Sequence, residues 1–185
     1  MEKRGYFILV ILFLAIPLFS IRAEAVSFTQ LWNATTENST ATLWTAVAVD
    51  SNDNILVAGD MRVYTPGKET WAVLAKYNST GTFLWNLSLG NNTKFLGVST
   101  DLSNNIYVAG YVAQNRTALV SKYNSTGGQI WSAAHSLSTT WQGISLDASE
   151  NVLLTGYNGT GINLYTHIAK YDSAVLVDAL PLVYS

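Results

Sequence analysis

The chain has 185 residues, with ten basic and twelve acidic side chains, a formal net charge of −2 and no cysteine. The missing thiols exclude disulfide-stapled scaffolds, zinc ribbons, redox pairs and thiol nucleophiles. Sparse charge without any basic block excludes nucleic acid as an expected partner.

At the N-terminus, Lys3 and Arg4 precede an unbroken apolar run over 6–19, and Ala23-Glu24-Ala25 follows. A basic start, a short apolar stretch and a small-x-small site read as a secretory signal peptide over residues 1–25. The run is short for the roughly 20 residues that cross a bilayer, so membrane association is expected only if this segment stays uncleaved. The mature chain, residues 26–185, keeps seven basic and ten acidic side chains, a net charge of −3. Its length fits one domain. Plentiful β-branched and aromatic residues beside Ser, Thr and Asn predict an exported all-β protein rather than a disordered one.

Residues 28–34, Phe28-Thr29-Gln30-Leu31-Trp32-Asn33-Ala34, read as an isolated outer strand. Three repeat units then follow over 44–90, 95–133 and 141–172, and 173–185 form an atypical tail. Each unit opens with a run ending in Asp, as in Ala46-Val47-Ala48-Val49-Asp50. A second run closes on Gly59, Gly110 or Gly156, and a third carries Lys76-Tyr77, Lys122-Tyr123 or Lys170-Tyr171. A fourth carries Trp85 or Trp131, after an Asn-Ser-Thr-Gly turn in which Gly81 and Gly127 supply positive φ. Corresponding Trp residues lie 46 apart, Lys residues 46 and 48 apart, and Gly residues 51 and 46 apart.

Four short antiparallel strands at that period predict a β-propeller of four-stranded blades, about three of them in this chain. Runs apolar on both faces, such as Val73-Leu74, suit a blade sandwiched between two neighbours. The small residues Ala46, Ala48, Gly97, Ser99, Gly143 and Ser145 suit a crowded innermost strand. The third unit lacks the Gly-x-x-x-Trp strand, while Trp32 supplies a spare one at the front. Propellers have about four to eight blades, so the ring is partial or is completed by oligomerisation. The failing end favours a piece of a longer propeller; two chains making six blades is the alternative.

Asp101-x-x-x-Asn105-Ile106-x-Val108-Ala109-Gly110 and Ala75-Lys76-Tyr77-Asn78-x-x-Gly81-x-x-x-Trp85 together resemble the SBBP-type β-propeller repeat family. The resemblance spans most of 46–171. It implies an extracellular propeller of bacterial and archaeal surface proteins, without shared catalytic residues. The Gly-x-x-x-Trp element is also similar to quinoprotein-type propeller repeats, but no quinone or metal ligand set accompanies it.

Eight Asn residues head an Asn-x-Ser/Thr sequon: Asn33, Asn38, Asn78, Asn86, Asn91, Asn115, Asn124 and Asn158. Fifteen Asn in a chain this rich in Ser and Thr give roughly three by chance, so N-glycosylation is expected after export. Turn chemistry favours the same residues. Asn38, Asn91, Asn115 and Asn158 are expected on the end with unequal connections. Asp50-Ser51-Asn52-Asp53-Asn54 resembles the start of a calcium loop, but Ile55 stands where Gly is needed and Met61 where Glu is needed. A recurring hairpin turn is the expectation, with Lys76, Lys122 and Lys170 solvated or paired. Trp44, Phe95 and Trp141 each precede the Asp of the first run by six residues. They are candidates either for a ligand-stacking ring at one mouth or for packing between blades.

His135 and His167 follow no metal spacing, and neither a nucleophile elbow nor a phosphate loop is present. The expected function is a secreted or cell-surface glycoprotein that binds protein or polysaccharide, without enzymatic activity, metal or cofactor. A structural envelope component and a fragment of a larger propeller enzyme are the alternatives.

Overall fold

A computed structural model describes residues 29–34, 41–62, 69–90, 92–114, 116–135, 139–160 and 163–172. The expected signal peptide and the tail 173–185 lie outside the described residues. The chain divides into one unit ending at Leu31 and a second starting at Trp32, and every strand described belongs to the second.

The described residues form three antiparallel sheets and no helix. Sheet I contains β1 (Thr42–Val49), β2 (Ile55–Arg62), β3 (Thr70–Tyr77) and β4 (Phe83–Leu89), hydrogen-bonded in that order. Sheet II repeats it with β5 (Thr93–Thr100), β6 (Ile106–Val112), β7 (Thr117–Tyr123) and β8 (Gln129–His135). Sheet III contains β9 (Thr139–Leu146), β10 (Val152–Thr160) and β11 (Asn163–Tyr171). Residues 29–34, expected as a strand, are assigned to none of the three sheets.

The second strand of each sheet runs past its glycine, where the sequence pattern suggested it would end. The reason lies opposite. Register shifts between Trp44 and Ala46, Phe95 and Gly97, and Trp141 and Gly143 place a β-bulge across from each such glycine. A Cβ on Gly59, Gly110 or Gly156 would lie 2.0, 1.9 or 2.0 Å from the carbonyl oxygen of Leu43, Lys94 or Thr140. Glycine is there for close approach and not to end a strand.

The sheets stack face to face. Ala46, Ala48, Leu56, Ala58, Ala72 and Leu74 of sheet I pack with Phe95, Val98, Ile106, Val108, Leu119 and Tyr123 of sheet II. Tyr107, Ala109, Ala118, Val120 and Ala133 on the other face of sheet II meet Trp141, Val152 and Leu154 of sheet III. Sheet II is thus covered on both sides, and its strand β6 is buried from Ile106 to Gly110 without alternation. The first strands lie side by side, β1 against β5 and β5 against β9. Small residues permit this, since a Cβ on Gly97 would stand 3.0 Å from the backbone nitrogen of Ile144. Thr45, the bulged residue of β1, donates its hydroxyl to the carbonyl of Phe95 at 2.7 Å.

Candidate functional site

Three places in this framework hold the residues that the sequence singles out: the aspartate turns, the aromatic positions and the sequons. At the turns, antiparallel pairing brings the end of the first strand beside the end of the third. Asp50 Oδ1 accepts the backbone N–H groups of Asn52 and Asn54, both at 2.9 Å. Its Oδ2 accepts from Asn54 Nδ2 at 3.0 Å and lies 2.8 Å from Lys76 Nζ. Asp101 does the same with Ser103, Asn105 and Lys122, and Asp147 with Ser149, Asn151 and Lys170. Both carboxylate oxygens are engaged within the turn. The segment that begins like a calcium loop therefore closes on an ammonium group. Among the described residues, no group of three or more His, Asp or Glu side chains is arranged to hold a metal.

The electrostatics follow from these contacts. Burial works against ionisation of Asp50, but Lys76 and the bonds from Asn54 and Asn52 outweigh it and hold its carboxyl at about 2. Burial likewise opposes ionisation of Asp101, whose pKa is nonetheless lowered by Asn105 and Lys122. Lys170, followed by Asn151, holds the Asp147 carboxyl well below the ordinary carboxylate range. Lys122 is raised: burial disfavours its charge, but Tyr107 and Asp101 more than compensate. Its Nζ also sits over the Tyr107 ring, 4.6 Å from the centroid. In sheets I and III the positions of Tyr107 hold Leu56 and Leu153. A group repeated in all three turns in this bonded state is built to hold the turn.

The aromatic series divides. Phe95 and Trp141 are fully buried, Phe95 between sheets I and II and Trp141 between sheets II and III. Trp141 lies against the His167 ring, with centroids 4.9 Å apart. Of the two readings given for these positions, Phe95 and Trp141 have the surroundings of the packing one, because the neighbouring sheet covers their face. Trp44 differs, since no sheet among the described residues covers that face of sheet I. It lines a cavity of about 370 Å³ with Ala34, Tyr77, Phe83 and Asn86. Its mouth is an open sheet face and not the end of a channel, so sequence spacing alone could not have found it.

The described sequons occupy several settings. Asn33 and Asn86 are exposed, and Asn86 lies in β4 opposite Ala75. Asn78 Oδ1 accepts from the backbone N–H groups of Thr80 and Thr82 and from the Thr80 hydroxyl. Asn124 Oδ1 accepts from Thr126 and Gly128 in the same way. Asn158 does not stand in a loop as expected. It lies within β10, paired with Tyr165 on one side and Thr139 on the other. The β10–β11 ladder continues to Thr160↔Asn163, so 157–160 and 163–166 are strand. Asn38, Asn91 and Asn115 lie outside the described residues.

No family model and no curated protein matches the chain. Among solved structures, it is similar to a protein of unknown function from Bacteroides caccae, with 14 % identity and a TM-score of 0.47. That match covers 73 % of this chain and 49 % of the other, so this chain spans about half of that protein's length.

Proposed function

We propose that the three sheets are blades of a β-propeller, and that the chain is a secreted or cell-surface interaction module of the SBBP-repeat kind. The observation that carries the propeller reading is the recurrence of one set of contacts from each sheet to the next. Ser51 N donates to Asn104 Oδ1 at 2.8 Å between the first turns of sheets I and II. Leu102 N donates to Glu150 Oε1 at 3.2 Å between those of sheets II and III. Both acceptors occupy the same turn position, at φ 62° and 61°. First strands that converge while sheets stack face to face are the geometry of blades about an axis.

The topology separates two ends. The β1–β2 turn, with its counterparts in sheets II and III, and the β3–β4 turn, with its counterpart in sheet II, share one end and are alike from sheet to sheet. The strand ends at Arg62 and Thr70, Leu89 and Thr93, Val112 and Thr117, His135 and Thr139, and Thr160 and Asn163 share the other end, and the sequences that join them differ in length and composition. Unequal loops on a rigid scaffold are where recognition usually sits, so this end contacts protein or polysaccharide in a binding role without catalysis. The turn sequons are compatible with glycosylation. The turn bonds of Asn78 use Oδ1, so a glycan on Nδ2 leaves all of them in place.

A glycan and polysaccharide array, probed with the purified chain and with a Glu69→Ala/Arg116→Ala variant, tests the binding reading. Retention by the chain, reduced at least fivefold by the loop substitutions, supports it. An array that retains neither, together with no retention on an isolated cell-envelope fraction, overturns it.

A further inference from the structure

We propose that Asn86 carries an N-linked glycan whose first sugar occupies the Trp44 cavity, so that carbohydrate packs on sheet I as a part of the fold. The inference rests on the export reading above and goes beyond it by naming the modified atom and the place where the sugar lies.

The ladders lay out the cavity. Trp44 pairs with Gly59, Gly59 with Val73 and Val73 with Ser88, one row across the four strands of sheet I. The next row on that face, two residues along, pairs Ala75 with Asn86. Both rows face away from sheet II, because the alternate side chains Ala72, Leu74, Trp85 and Leu89 pack against the core shared with it. Val73 and Ala75 are 6 % and 2 % exposed and form a floor of short side chains. Trp44 on β1 stands to one side of it, and Asn86 and Ser88 on β4 to the other. Tyr77 and Phe83 add a second aromatic wall, their rings edge to face with centroids 5.7 Å apart.

Sheet II differs at the same place. Its counterparts of Ala75 and Asn86 are Ser121 and Ser132, buried and hydrogen-bonded to each other at 2.8 Å. Phe95, at the position of Trp44, is buried there too, and sheet I fills the space. On sheet I the serine pair gives way to Ala75 and an exposed Asn86, with a cavity of about 370 Å³ beside them. The sequence changes with the surroundings: Asn86-Leu87-Ser88 is a sequon, whereas sheet II has Ser132-Ala133-Ala134.

The chemistry of the walls matches a sugar. Among the described residues, no charged side chain lines the cavity, so an anionic or cationic occupant would be desolvated without a counter-charge. A pyranose is neutral, with C–H faces for the Trp44, Tyr77 and Phe83 rings and hydroxyls for Thr42, Ser88 and the Asn86 amide. The volume lies within the roughly 300–1,000 Å³ of small-molecule pockets. A sugar attached at the cavity wall is preferred to a free one, because the tether gives it a high effective concentration. In the transfer, Asn86 Nδ2 attacks C1 of an oligosaccharide carried on a lipid pyrophosphate. The N–C1 bond replaces the C1–O bond, the pyrophosphate leaves with the lipid, and the amide gives up one proton.

The test uses the full chain, expressed with its own residues 1–25 in a eukaryotic secretory host, and takes the turn sequon Asn78 as an internal reference. Site-resolved mass spectrometry is expected to find glycan at both Asn78 and Asn86. On the folded chain, endoglycosidase release from Asn86 is expected to be at least about fivefold slower than from Asn78, since the sugar must first leave the cavity. Unfolding in urea is expected to equalise the two. Trp44→Ala should bring the Asn86 rate up to that of Asn78, and so should Phe83→Ala, at a position 52 % exposed where folding does not depend on the ring. Asn86→Gln should lower the melting temperature of the glycosylated chain by about 2–4 °C and leave unchanged that of chain made without glycan. Equal release rates on the folded wild type, or a slow Asn86 rate that neither substitution changes, overturn the seated sugar. Asn86 bare beside a glycosylated Asn78 overturns it as well; in each of these cases the export reading stands. A chain with no glycan at any sequon overturns the export reading and this proposal with it.

Discussion

At Gly110 a Cβ would stand 1.9 Å from the carbonyl oxygen of Lys94, a backbone atom that no rotamer change can move. Gly110→Ala must therefore open the bulge, and a loss of about 3 kcal/mol is expected, at the upper end of ordinary overpacking. Gly97→Ala meets the backbone of Ile144 at 3.0 Å and is expected to cost about 1 kcal/mol. Urea titrations of both variants check the order; equal midpoints would contradict the bulge argument. The aspartates set a second test at this scale. Asp50 titrates at about 2 against an ordinary 3.8, and Asp101 and Asp147 are lowered in the same direction. In that interval the unfolded chain binds more protons than the folded one, so acidification destabilises. The contribution is fully present above about pH 4 and is lost as pH falls through the folded values. For Asp50 alone it is on the order of 2 kcal/mol. Melting temperature is expected to fall steeply between about pH 4 and 2, and Asp50→Asn should flatten that slope while lowering stability at pH 7.

Among elements, the contacts that join sheets differ in how much of each side chain they hide. Trp85 packs against the sheet I–II core, whereas Trp32 is 38 % exposed. Trp85→Ala is expected to cost about 3–5 kcal/mol, the usual range for a large aromatic in a core, and Trp32→Ala clearly less. Thermal unfolding followed by tryptophan fluorescence separates the two. The repeat made most of this level legible. Alternating apolar runs, Asp turns and the Gly81 and Gly127 turns fall where the residues indicate, because each depends on neighbours close in sequence. What escaped was non-local. Gly59 looked like a strand end because its bulge partner, Leu43, lies on another strand. Phe95 and Trp141 could be read as ligand-stacking or as packing residues, because the sheet that covers each belongs to a different repeat. Asn158 looked like a loop residue because its sequon and Gly159 have the composition of a turn, yet pairing to Thr139 and Tyr165 keeps it in a strand.

For the whole molecule, the sequons report how much of sheet I stays open. Asn86 lines the cavity on the open face of sheet I beside Ala34 and Phe83. Its counterpart in sheet II, Ser132, is 5 % exposed and hydrogen-bonded to Ser121 at 2.8 Å on the face that meets sheet I. A sheet laid on sheet I would enclose Asn86 as sheet I encloses Ser132, and no oligosaccharide fits in such a contact. Asn78 lies in a turn at the edge of the sheet, and its Oδ1 bonds do not depend on that face. Expression in a host with Asn-linked glycosylation, followed by site-resolved mass spectrometry, is expected to find glycan at both Asn78 and Asn86, because no sheet among the described residues covers that face. Glycan at Asn78 with Asn86 bare would mean that the face of sheet I is covered in the exported protein, and that the Trp44 cavity is closed to a ligand.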